Sequence, residues 1–517
     1  MSRRPHILWA DDEIELLKPH IMYLEGKGYD VTGVPDGASA VELLDEHVVD
    51  LVFLDENMPG ITGLETLQKI KARRPHLPCV MITKSEEEHI MEEAIGGKIS
   101  DYLIKPLNPV QILSSVKKIF EGRKLVGDQA MSNYQREFRE LSMRMGDRLN
   151  AADWEEIHAR LVHWDLELSE TGDQAMLEIL SNQRIEANRQ FCRFVDDEYA
   201  DWIREPNNRP TLALDVLPQA VRPLLKDGKK VLFVLIDNFR YDQWKAISGE
   251  LAGSYRIVSE KMQWSLLPTA TQYARNALFA GQTPAKIAAE TPHLWKWEDE
   301  KGSKNAHEEE LLRRQLAAWR FEGDWSYHKI TDKESGQKLT DNFHRLKNQD
   351  FTAVVYNFVD MLSHSRTESS IIKELAADEA SFRSITASWF DHSPLKQLLE
   401  LAAAQGLEVV LTTDHGTIQV EHPVKVNGDR DITSNPRYKA GKTINTDGKD
   451  VIKLSHPSDF GLPKQHVATS YLFATSRDFM VYPNNFNTFV QKYTGSFQHG
   501  GVSMEEMLVP LIHMRGR

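Results

Sequence analysis

The sequence of 517 residues predicts an α/β protein in three parts, on three observations. Residues 1–122 alternate short apolar runs with amphipathic segments, a pattern typical of a doubly wound parallel sheet. In residues 123–208 the apolar residues recur at helical spacing, which predicts a helical bundle. Residues 209–517 return to runs such as VLFVLID and VVLTTDH that are typical of buried strands, and we expect one large α/β domain there.

The composition excludes several classes of protein. Hydrophobic residues make up 41% and charged residues 27% of the chain, as in an ordinary globular protein. The sequence has no run of the ~18 apolar residues that a membrane span requires, and its N-terminus lacks the apolar region of a signal peptide. Two cysteines, Cys79 and Cys192, are too few for a disulfide framework. We therefore expect a cytoplasmic protein without a membrane span.

The distribution of charge argues against a DNA-binding output. The net charge is -14, and residues 1–210 carry the whole excess of acid, since acidic and basic residues balance in the rest of the chain. A protein that binds duplex DNA usually has a basic domain. Because neither a basic domain nor a helix-turn-helix signature is present, we expect no conventional DNA-binding domain.

Polar residues follow the predicted strands of the first part. Asp11 and Asp12 follow HILWA, Asp55 follows LVFL, Thr83 follows VMI, and Lys105 follows YLI. Because the carboxyl ends of parallel strands meet at one edge of a sheet, we expect these side chains to lie close together. Such carboxylates suit Mg²⁺, and Asp55 can accept a phosphoryl group when a metal ion shields the negative charge.

With the sequence DENMPG at 55–60, this order resembles the receiver domain of two-component response regulators over residues 5–122. The resemblance implies the strand order 2-1-3-4-5 and phosphorylation of Asp55 by a cognate sensor histidine kinase. It implies two sets of functional residues: Asp11, Asp12, Asp55 and Asn57 for Mg²⁺, and Thr83, Tyr102 and Lys105 for the phosphorylation switch. A phosphoryl group adds about -1.5 to -2 charges, and we expect it to drive formation of a homodimer.

The helical segment 123–208 ends near the sequence EPNNRP (205–210), in which prolines break the helix. Two interpretations of this segment remain open. It is either an inert spacer or an element that dimerises or carries a signal.

Acids and a histidine at the ends of apolar runs are the main feature of the C-terminal part. The run VLFVLID ends at Asp237, and VVLTTDH ends at Asp414 and His415. In an open α/β sheet the chemistry collects at the carboxyl ends of the strands. We therefore expect these three residues to form one acid-rich set that suits a divalent metal ion.

A second set of ligands and a hydroxyl complete the candidate site. The run VVYNFVD ends at Asp360, and His364 follows four residues later, so that on a helical turn the two share a face. With His499 they form an Asp/His₂ set that suits zinc with an open position. Two such sets around the hydroxyl of Thr271 predict a two-metal site for in-line phosphoryl transfer.

The ordered pattern Asp…Thr…DxxxH…DHG…HGG resembles the alkaline phosphatase superfamily, and the PglZ domain in particular. The segment LLPTATQYARNALFAG is similar to the nucleophile region of two-zinc nucleotide phosphodiesterases, which implies Thr271 as the nucleophile and Thr269 as the alternative. The resemblance implies two zinc sets: Asp360, His364 and His499 for one ion, and Asp237, Thr271, Asp414 and His415 for the other. Manganese remains an alternative, because Asp/His sites accept both metals.

Basic and amide side chains are the candidates for substrate contacts. The polar stretch 420–464 is rich in Lys and Arg, and we interpret it either as a solvated insertion or as a lid over a polyanionic substrate. Within it, Arg437 and Lys439 are candidates to pair with phosphate. Arg275 and Asn276, which follow Thr271 closely, are further candidates. No third, magnesium-type site is evident in this part of the sequence, which favours phosphodiesters over monoesters.

The combination of the three parts resembles a family of response regulators tied to type IX secretion in the Bacteroidota. That resemblance implies a metal-dependent phosphodiesterase that acts on nucleotides or oligonucleotides, including cyclic ones, under the control of phosphorylation. In a second interpretation the metal site is structural, and the protein is a signalling adaptor that contacts a sigma factor or the secretion machinery. The hydroxyl of Thr271 favours the enzyme, because a purely structural metal site has no need of a nucleophile.

Overall fold

The computed structural model describes residues 4–74, 77–84, 99–171, 173–368, 376, 378–428, 433–446 and 448–517, without the side chains of residues 45–46, 121–132, 170 and 364–368. The chain forms two compact units, Met1–Asn133 and Tyr134–Arg517. No helix in the described ranges is both long and apolar enough to cross a membrane.

The first unit is built on a parallel sheet. Its strands are β1 His6–Ala10, β2 Asp30–Val34, β3 Leu51–Asp55, β4 Cys79–Thr83 and β5 Asp101–Ile104, and its helices include α1 Lys18–Glu25, α2 Gly37–Glu46 and α3 Gly63–Arg73. The strand order is β2-β1-β3-β4-β5, and every neighbouring pair is parallel. The predicted strand order and the parallel sheet are confirmed.

Strand β1 shows why the strands of this sheet are continuously apolar. Leu8 and Ala10 lie in one hydrophobic cluster, whereas Ile7 and Trp9 lie in another. Successive side chains of a strand point to opposite faces of the sheet. Both faces are therefore covered, as in doubly wound folds, and a strand buried on both faces has no polar side to show in the sequence.

The predicted helical middle is confirmed. Its first helix, α4 Pro109–Arg144, begins within the part predicted as receiver, and α5 Ala151–Thr171 and α6 Gln174–Arg204 follow. Helix α6 begins after Asp173, whose carboxylate accepts hydrogen bonds from the N–H groups of Ala175 (3.0 Å) and Met176 (3.1 Å). The buried residues of α6 recur at helical spacing, among them Ala187, Phe191, Val195, Tyr199 and Trp202. Helices α5 and α6 share one hydrophobic core with the C-terminal sheet, so both belong to the second unit.

The remaining elements of the second unit follow in chain order. The strands are β6 Val231–Ile236, β7 Tyr255–Trp264, β8 Trp325–Ile330, β9 Phe351–Tyr356, β10 Glu408–Thr412, β11 Ile418–Gln419, β12 His422–Gly428, β13 Tyr438–Gly441, β14 Ile444–Thr446, β15 Val451–Leu454, β16 Ser470–Ala474, β17 Asp478–Val481, β18 Phe497–Gln498 and β19 Leu508–Gly516. The helices are α7 Arg222–Lys226, α8 Tyr241–Leu251, α9 Thr271–Ala280, α10 Pro284–Glu290, α11 Glu308–Ala318, α12 Lys333–Asp341, α13 Phe343–Leu346, α14 Phe358–Glu368, α15 Glu379–Asp391, α16 Pro394–Ala404, α17 Phe486–Tyr493 and α18 Met504–Met507. The polar stretch 420–464 thus contains strands as well as loops.

The main sheet of the second unit is mixed, with strand order β7-β19-β10-β6-β9-β8. Strands β10, β6, β9 and β8 are parallel neighbours, whereas β19 is antiparallel to both β10 and β7. All residues of β6, at the centre of this sheet, are buried. The predicted α/β class of the C-terminal part is confirmed. Because β6 and β10 are parallel neighbours, the residues that follow them lie at the same edge of the sheet.

Candidate active site

The acids at the strand ends of the first unit surround a lysine. Lys105 Nζ lies 3.0 Å from Asp11 Oδ2 and 2.6 Å from Asp55 Oδ1. One carboxylate oxygen from each of Asp11, Asp12 and Asp55 lies within 4.8 Å of the others. Burial raises the pKa of Asp55, and the negative charge of Asp11 adds to this, whereas Lys105 opposes it. Three acids around one lysine leave an excess of negative charge, which fits a divalent cation such as Mg²⁺.

Of the predicted switch residues, Lys105 belongs to this cluster, Thr83 ends strand β4, and Tyr102 lies in β5. The N–H of Asn57 donates to Asp55 Oδ2 (3.2 Å). Thr83 pairs with Ile104 of β5. Its hydroxyl donates to the carboxylate of Glu56, a contact that the sequence did not suggest. Tyr102 is 40% exposed. The structure therefore joins Thr83 to the residue after Asp55 and places the ring of Tyr102 at the surface.

In the second unit, Asp237, Asp414 and His415 come together at the edge of the main sheet. Asp237 follows β6, and the other two follow β10. His415 Nε2 lies 3.9 Å from Asp237 Oδ1 and 3.7 Å from Asp414 Oδ2. All three side chains are fully buried, and they form one candidate metal-binding group in the described residues.

The hydroxyl of Thr271 faces this group. Thr271 is the first residue of α9, and its Oγ1 lies 3.2 Å from His415 Nε2. A helix N-terminus carries partial positive charge and favours a bound anion such as phosphate. The hydroxyl of Thr269, by contrast, is buried, donates to the carbonyl of Gly501 (2.8 Å) and accepts the N–H of Gly500 (3.0 Å). The hydroxyl of Thr271 therefore faces the candidate metal-binding group, whereas that of Thr269 is engaged with the backbone.

His499 and Asp360 lie beside the first group. His499 Nε2 is 3.7 Å from Asp360 Oδ1, and the rings of His415 and His499 are stacked with centroids 4.2 Å apart. The backbone of His364 belongs to α14, which also carries Asp360, but its side chain lies outside the described residues. The structure thus places Asp360 and His499 next to the set formed by Asp237, Asp414 and His415.

The buried donor atoms fit bound cations. Asp237 Oδ1 and Asp414 Oδ2 are buried and have no hydrogen-bond partner among the described residues, which is unusual for buried polar atoms. His415 Nδ1 lies 3.1 Å from the carbonyl oxygen of Gly416, and His499 Nδ1 lies 3.1 Å from that of Thr269. A carbonyl only accepts hydrogen bonds, so Nδ1 carries the proton. Each Nε2 then has a lone pair, as a metal ligand requires, on the side of the carboxylates.

The acids of this site carry opposite shifts in pKa. Burial raises the pKa of Asp237 well above its usual range, and the opposing charge of Arg275 does not offset it. Burial acts on Asp414 in the same sense, but its polar surroundings, among them the charge of Arg275 and the N–H of Asn238, outweigh burial and lower the pKa. Crowded buried carboxylates with partly mismatched charge are typical of a site that a metal ion completes.

Arg275 supplies the countercharge rather than an open anion site. Its side chain is 1% exposed, with Nη1 3.0 Å from Asp237 Oδ2 and Nε 2.7 Å from Glu308 Oε1. Asn276 is also buried, and its Nδ2 donates to the carbonyl of Lys304 (3.2 Å). In this conformation both predicted substrate contacts are engaged with the protein.

Arg437 and Lys439, the other predicted substrate contacts, are buried as well. Arg437 is paired with Glu506 through Nε (3.1 Å) and Nη2 (2.6 Å). Lys439 Nζ donates to the carbonyl of Thr433 (3.0 Å), and burial lowers the pKa of Lys439 to about 7. In this conformation neither charged group is open to a substrate, so their contact with substrate stays a prediction, and we do not carry these two residues into the proposed site.

Asn238 is a site residue that the sequence analysis missed. Its backbone has a φ of 63°, in the left-handed region where Asn is tolerated better than most residues. Its N–H lies 3.4 Å from Asp414 Oδ1, and its Nδ2 donates to Ser363 Oγ (3.0 Å) and lies 3.5 Å from Asp360 Oδ1. Asn238 thus connects the two ligand sets. The signal in the sequence was an Asn directly after a strand-end Asp.

Glu506 is a second missed residue. Its Oε1 accepts the N–H of Gly501 (2.9 Å), and its Oε2 accepts the hydroxyl of Ser503 (2.7 Å), while Arg437 balances its charge. A Cβ at position 501 would lie 2.4 Å from the carbonyl oxygen of Ala474, so only glycine fits there. The pair of Glu506 and Arg437 therefore fixes the turn that follows His499.

Comparison with known families assigns almost the whole chain. Residues 216–514 match the BREX system PglZ alkaline phosphatase-like domain. Residues 124–203 match the PorX response regulator linker domain, and residues 7–117 match the response regulator receiver domain. The combination is that of a PorX-like response regulator.

Individual relatives share only part of the chain. The alginate biosynthesis transcriptional regulatory protein AlgB of Pseudomonas putida is 34% identical over 119 residues, which are 23% of this chain and 27% of that relative. The response regulator SaeR of Staphylococcus aureus is 26% identical over 161 residues, 31% of this chain and 69% of SaeR. The chain thus spans about a quarter of the length of the first relative and about two thirds of the second.

Among solved structures, a receiver domain protein (CheY-like) from Methanospirillum hungatei is 25% identical and covers 24% of this chain and 98% of its own, with a TM-score of 0.23. The receiver domain implies a cognate histidine kinase, and the PglZ domain places the C-terminal part in the alkaline phosphatase superfamily. Because the PglZ match covers more than half of the chain, the protein belongs to the PglZ alkaline phosphatase-like family, in which it is a response regulator with a receiver domain and a PorX-type linker.

Proposed function

We propose that the protein is a phosphorylation-regulated, metal-dependent phosphodiesterase. The observation that carries the proposal is the convergence of Asp237 Oδ1, Asp414 Oδ2 and His415 Nε2 beside the hydroxyl of Thr271. A structural metal site would not need a hydroxyl at the N-terminus of a helix, where an anion is favoured. Asp55 is the proposed phosphorylation site, and a cognate histidine kinase supplies the phosphoryl group.

Two zinc ions are the proposed cofactors of the PglZ domain, and manganese is the alternative. Asp237, Thr271, Asp414 and His415 would hold one ion, and Asp360, His364 and His499 the other. When bound, the ions neutralise the phosphoryl oxygens and lower the pKa of the nucleophilic hydroxyl. In the receiver domain, Asp11, Asp12, Asp55 and the carbonyl of Asn57 would hold Mg²⁺.

The proposed reaction uses Thr271 as the nucleophile. Thr271 Oγ1 loses its proton and bonds to phosphorus, while the bond from phosphorus to the leaving oxygen breaks and that oxygen gains a proton. Water then hydrolyses the phosphothreonine and restores the hydroxyl. Arg275 orients Asp237 through its contact with Oδ2, and Asn238 contacts both Asp360 and Asp414.

Nucleotides and oligonucleotides, including cyclic ones, are the proposed substrates, by similarity to the two-zinc phosphodiesterases. A role in type IX secretion is proposed on the match of residues 124–203 to the PorX linker domain. Phosphorylation-dependent formation of a homodimer, and contact with a sigma factor or the secretion machinery, belong to the same proposal.

The test combines metal analysis with hydrolysis of bis-p-nitrophenyl phosphate. We expect about two zinc ions per chain and a loss of at least ~10³-fold in kcat for Thr271→Ala, because the nucleophile is gone. Thr271→Ser keeps a hydroxyl and is the matched control, which should retain measurable turnover. Zinc binding without turnover in the wild type, even after addition of beryllofluoride, would overturn the proposal and leave the signalling adaptor as the remaining interpretation.

A further inference from the structure

Helix α6 of the linker segment binds the loop that leads to Thr271. We call residues 265–270 the nucleophile loop. The hydroxyl of Tyr199, on α6, accepts the backbone N–H of Leu267 in this loop (2.9 Å). Both residues are fully buried, so water does not offer this N–H a replacement partner.

The same helix binds the segment that follows His499. We call residues 499–505 the His499 loop. The thiol of Cys192 donates to the carbonyl of Val502 (3.1 Å), and Asn188 Oδ1 accepts the N–H of Met504 (2.8 Å). Asn188 Nδ2 also donates to Glu505 Oε2 (2.9 Å), and Arg184 Nη2 donates to Glu505 Oε1 (2.9 Å). These contacts are made by buried side chains that recur along one face of α6.

The two loops are also tied to each other. The carbonyl of Thr269 accepts from His499 Nδ1 (3.1 Å), and its hydroxyl bonds to both Gly500 and Gly501. The nucleophile loop ends one residue before Thr271, and the His499 loop begins with a predicted metal ligand. Helix α6 therefore fixes, from one rigid element, the two segments that set the position of the nucleophile relative to that ligand.

We infer that α6 is a positioning element of the phosphodiesterase site, and that Asn188 and Tyr199 are its positioning residues for His499 and Thr271. The inference rests on the proposed function and adds to it that the activity of the site can be regulated through α6. Because both loops are bonded to the same helix, a displacement of α6 moves them together. The segment that matches a linker domain is then the element through which the activity of the site is set.

The test compares two variants with matched controls in the full chain. Tyr199→Phe removes only the hydroxyl that binds Leu267, and Asn188→Ala removes the bonds to Met504 and Glu505. Tyr134→Phe and Gln183→Ala are the controls, because Tyr134 and Gln183 are buried and bonded to each other away from both loops. The controls therefore report the general loss of stability on removal of a buried hydrogen bond from the same helical segment.

Three quantities are measured on each variant: zinc affinity by chelator competition, hydrogen exchange of peptides from both loops in the metal-free chain, and kcat and KM for bis-p-nitrophenyl phosphate. We expect zinc affinity about 10- to 100-fold weaker for Asn188→Ala, the range typical of lost outer-sphere support. We expect faster exchange in the nucleophile loop for Tyr199→Phe and in the His499 loop for Asn188→Ala. In both, kcat falls about 10-fold or more at nearly constant KM, and the controls change none of these.

The outcomes separate this inference from the proposed function. If the wild type has no turnover, the proposed function fails, while zinc affinity and loop exchange still decide the role of α6. If the wild type is active and both variants match their controls in exchange and affinity, the inference is overturned and the function stands. Tyr199→Phe keeps the size of the side chain, so it decides the matter even if Asn188→Ala does not fold.

Discussion

Both candidate sites place acids at the carboxyl ends of parallel strands, but they balance the charge in different ways. In the receiver domain, Lys105 contacts both Asp11 and Asp55. In the PglZ domain, Arg275 contacts one oxygen of Asp237, while Asp237 Oδ1 and Asp414 Oδ2 lack hydrogen-bond partners among the described residues. Each cluster has one internal cation, but the lysine of the first contacts two of its acids, whereas the arginine of the second leaves Asp237 Oδ1 and Asp414 Oδ2 without a hydrogen bond from the described part of the chain.

The difference in charge balance suits the two proposed roles, a phosphorylation switch and a metal-dependent catalyst. A lysine is a mobile cation with three donors, and it can transfer its contact from a carboxylate to a newly attached phosphoryl group. Stacked imidazoles and deeply buried carboxylates have no such freedom, and they form a fixed frame for a resident ion. A strand-end cluster of acids is therefore a switch or a catalyst according to the cations and imidazoles that surround it.

Replacement of each internal cation by methionine is the strongest test of the comparison. For Arg275→Met we expect a loss of about 3–5 kcal/mol in the unfolding free energy of the metal-free second unit, because buried acids lose their countercharge. Lys105 is 12% exposed against 1% for Arg275, and we expect Lys105→Met to lower the stability of the first unit by no more than about half as much. Denaturant unfolding of the full chain measures both.

Lys338→Met, at an exposed ion pair with Glu334, is the control for loss of a surface cation and should change stability by less than about 1 kcal/mol. A larger loss of unfolding free energy for Lys105→Met than for Arg275→Met would contradict this comparison of the two sites.

The next largest expected effect is the gain in stability when metal ions are returned to the metal-free protein. After treatment with a chelator, zinc at about 1,000 times its Kd should stabilise the second unit by about 4 kcal/mol, through preferential binding to the folded state. Mg²⁺ should stabilise the first unit less, because Lys105 already balances part of its charge. Thermal melting of the full chain with each ion measures both effects.

Two variants assign these responses to the sites. Asp414→Asn should weaken the response to zinc, because one of the two proposed zinc sets loses a ligand, and should leave the response to Mg²⁺. Asp55→Asn should weaken the response to Mg²⁺ and leave the response to zinc. An undiminished response of Asp414→Asn to zinc would show that the ion binds elsewhere.

The smallest expected difference between the two sites concerns the backbone conformation of the residue after the strand-end acid. Asn238 has a left-handed backbone, whereas Glu56, after Asp55, is not among the described residues with positive φ. We therefore expect Asn238→Gly to be more stable than Asn238→Ala by about 1 kcal/mol, because alanine is strained there. At position 56 the order should reverse, with glycine less stable than alanine by up to about 1 kcal/mol.

Both Asn238 variants should also bind zinc more weakly than the wild type, since each loses the amide that contacts Asp360 and Ser363. Equal stability of the glycine and alanine variants at position 238 would show that the backbone strain is relaxed in solution.

The sequence alone was sufficient to predict that the strand-end acids of each domain lie close together. Asp55, Asp237 and Asp414 each end an apolar run, and a parallel sheet brings such ends to one edge. No contact between distant side chains was needed to predict that they converge, which is why the order of motifs carried so much information.

The sequence was insufficient where burial and pairing decide the role of a charge. Arg437 and Lys439 lie in a polar, basic stretch, and only the fold shows that Glu506, 69 residues away from Arg437, is its partner. The contact of Asn188 with Met504 joins residues 316 positions apart. Neither hydrophobic periodicity nor charge patterning contains such pairs, because both describe short windows of the chain.

The two cysteines make the chain its own conformational reporter. Cys79 lies in the core of the first unit, and Cys192 lies on α6 against the carbonyl of Val502. Burial raises the pKa of Cys79 to about 11 and that of Cys192 to about 12, so both thiols are protonated and unreactive at neutral pH. A thiol reagent therefore labels each cysteine only when its surroundings open, and labelling of Cys192 requires that the contact of α6 with the carbonyl of Val502 opens.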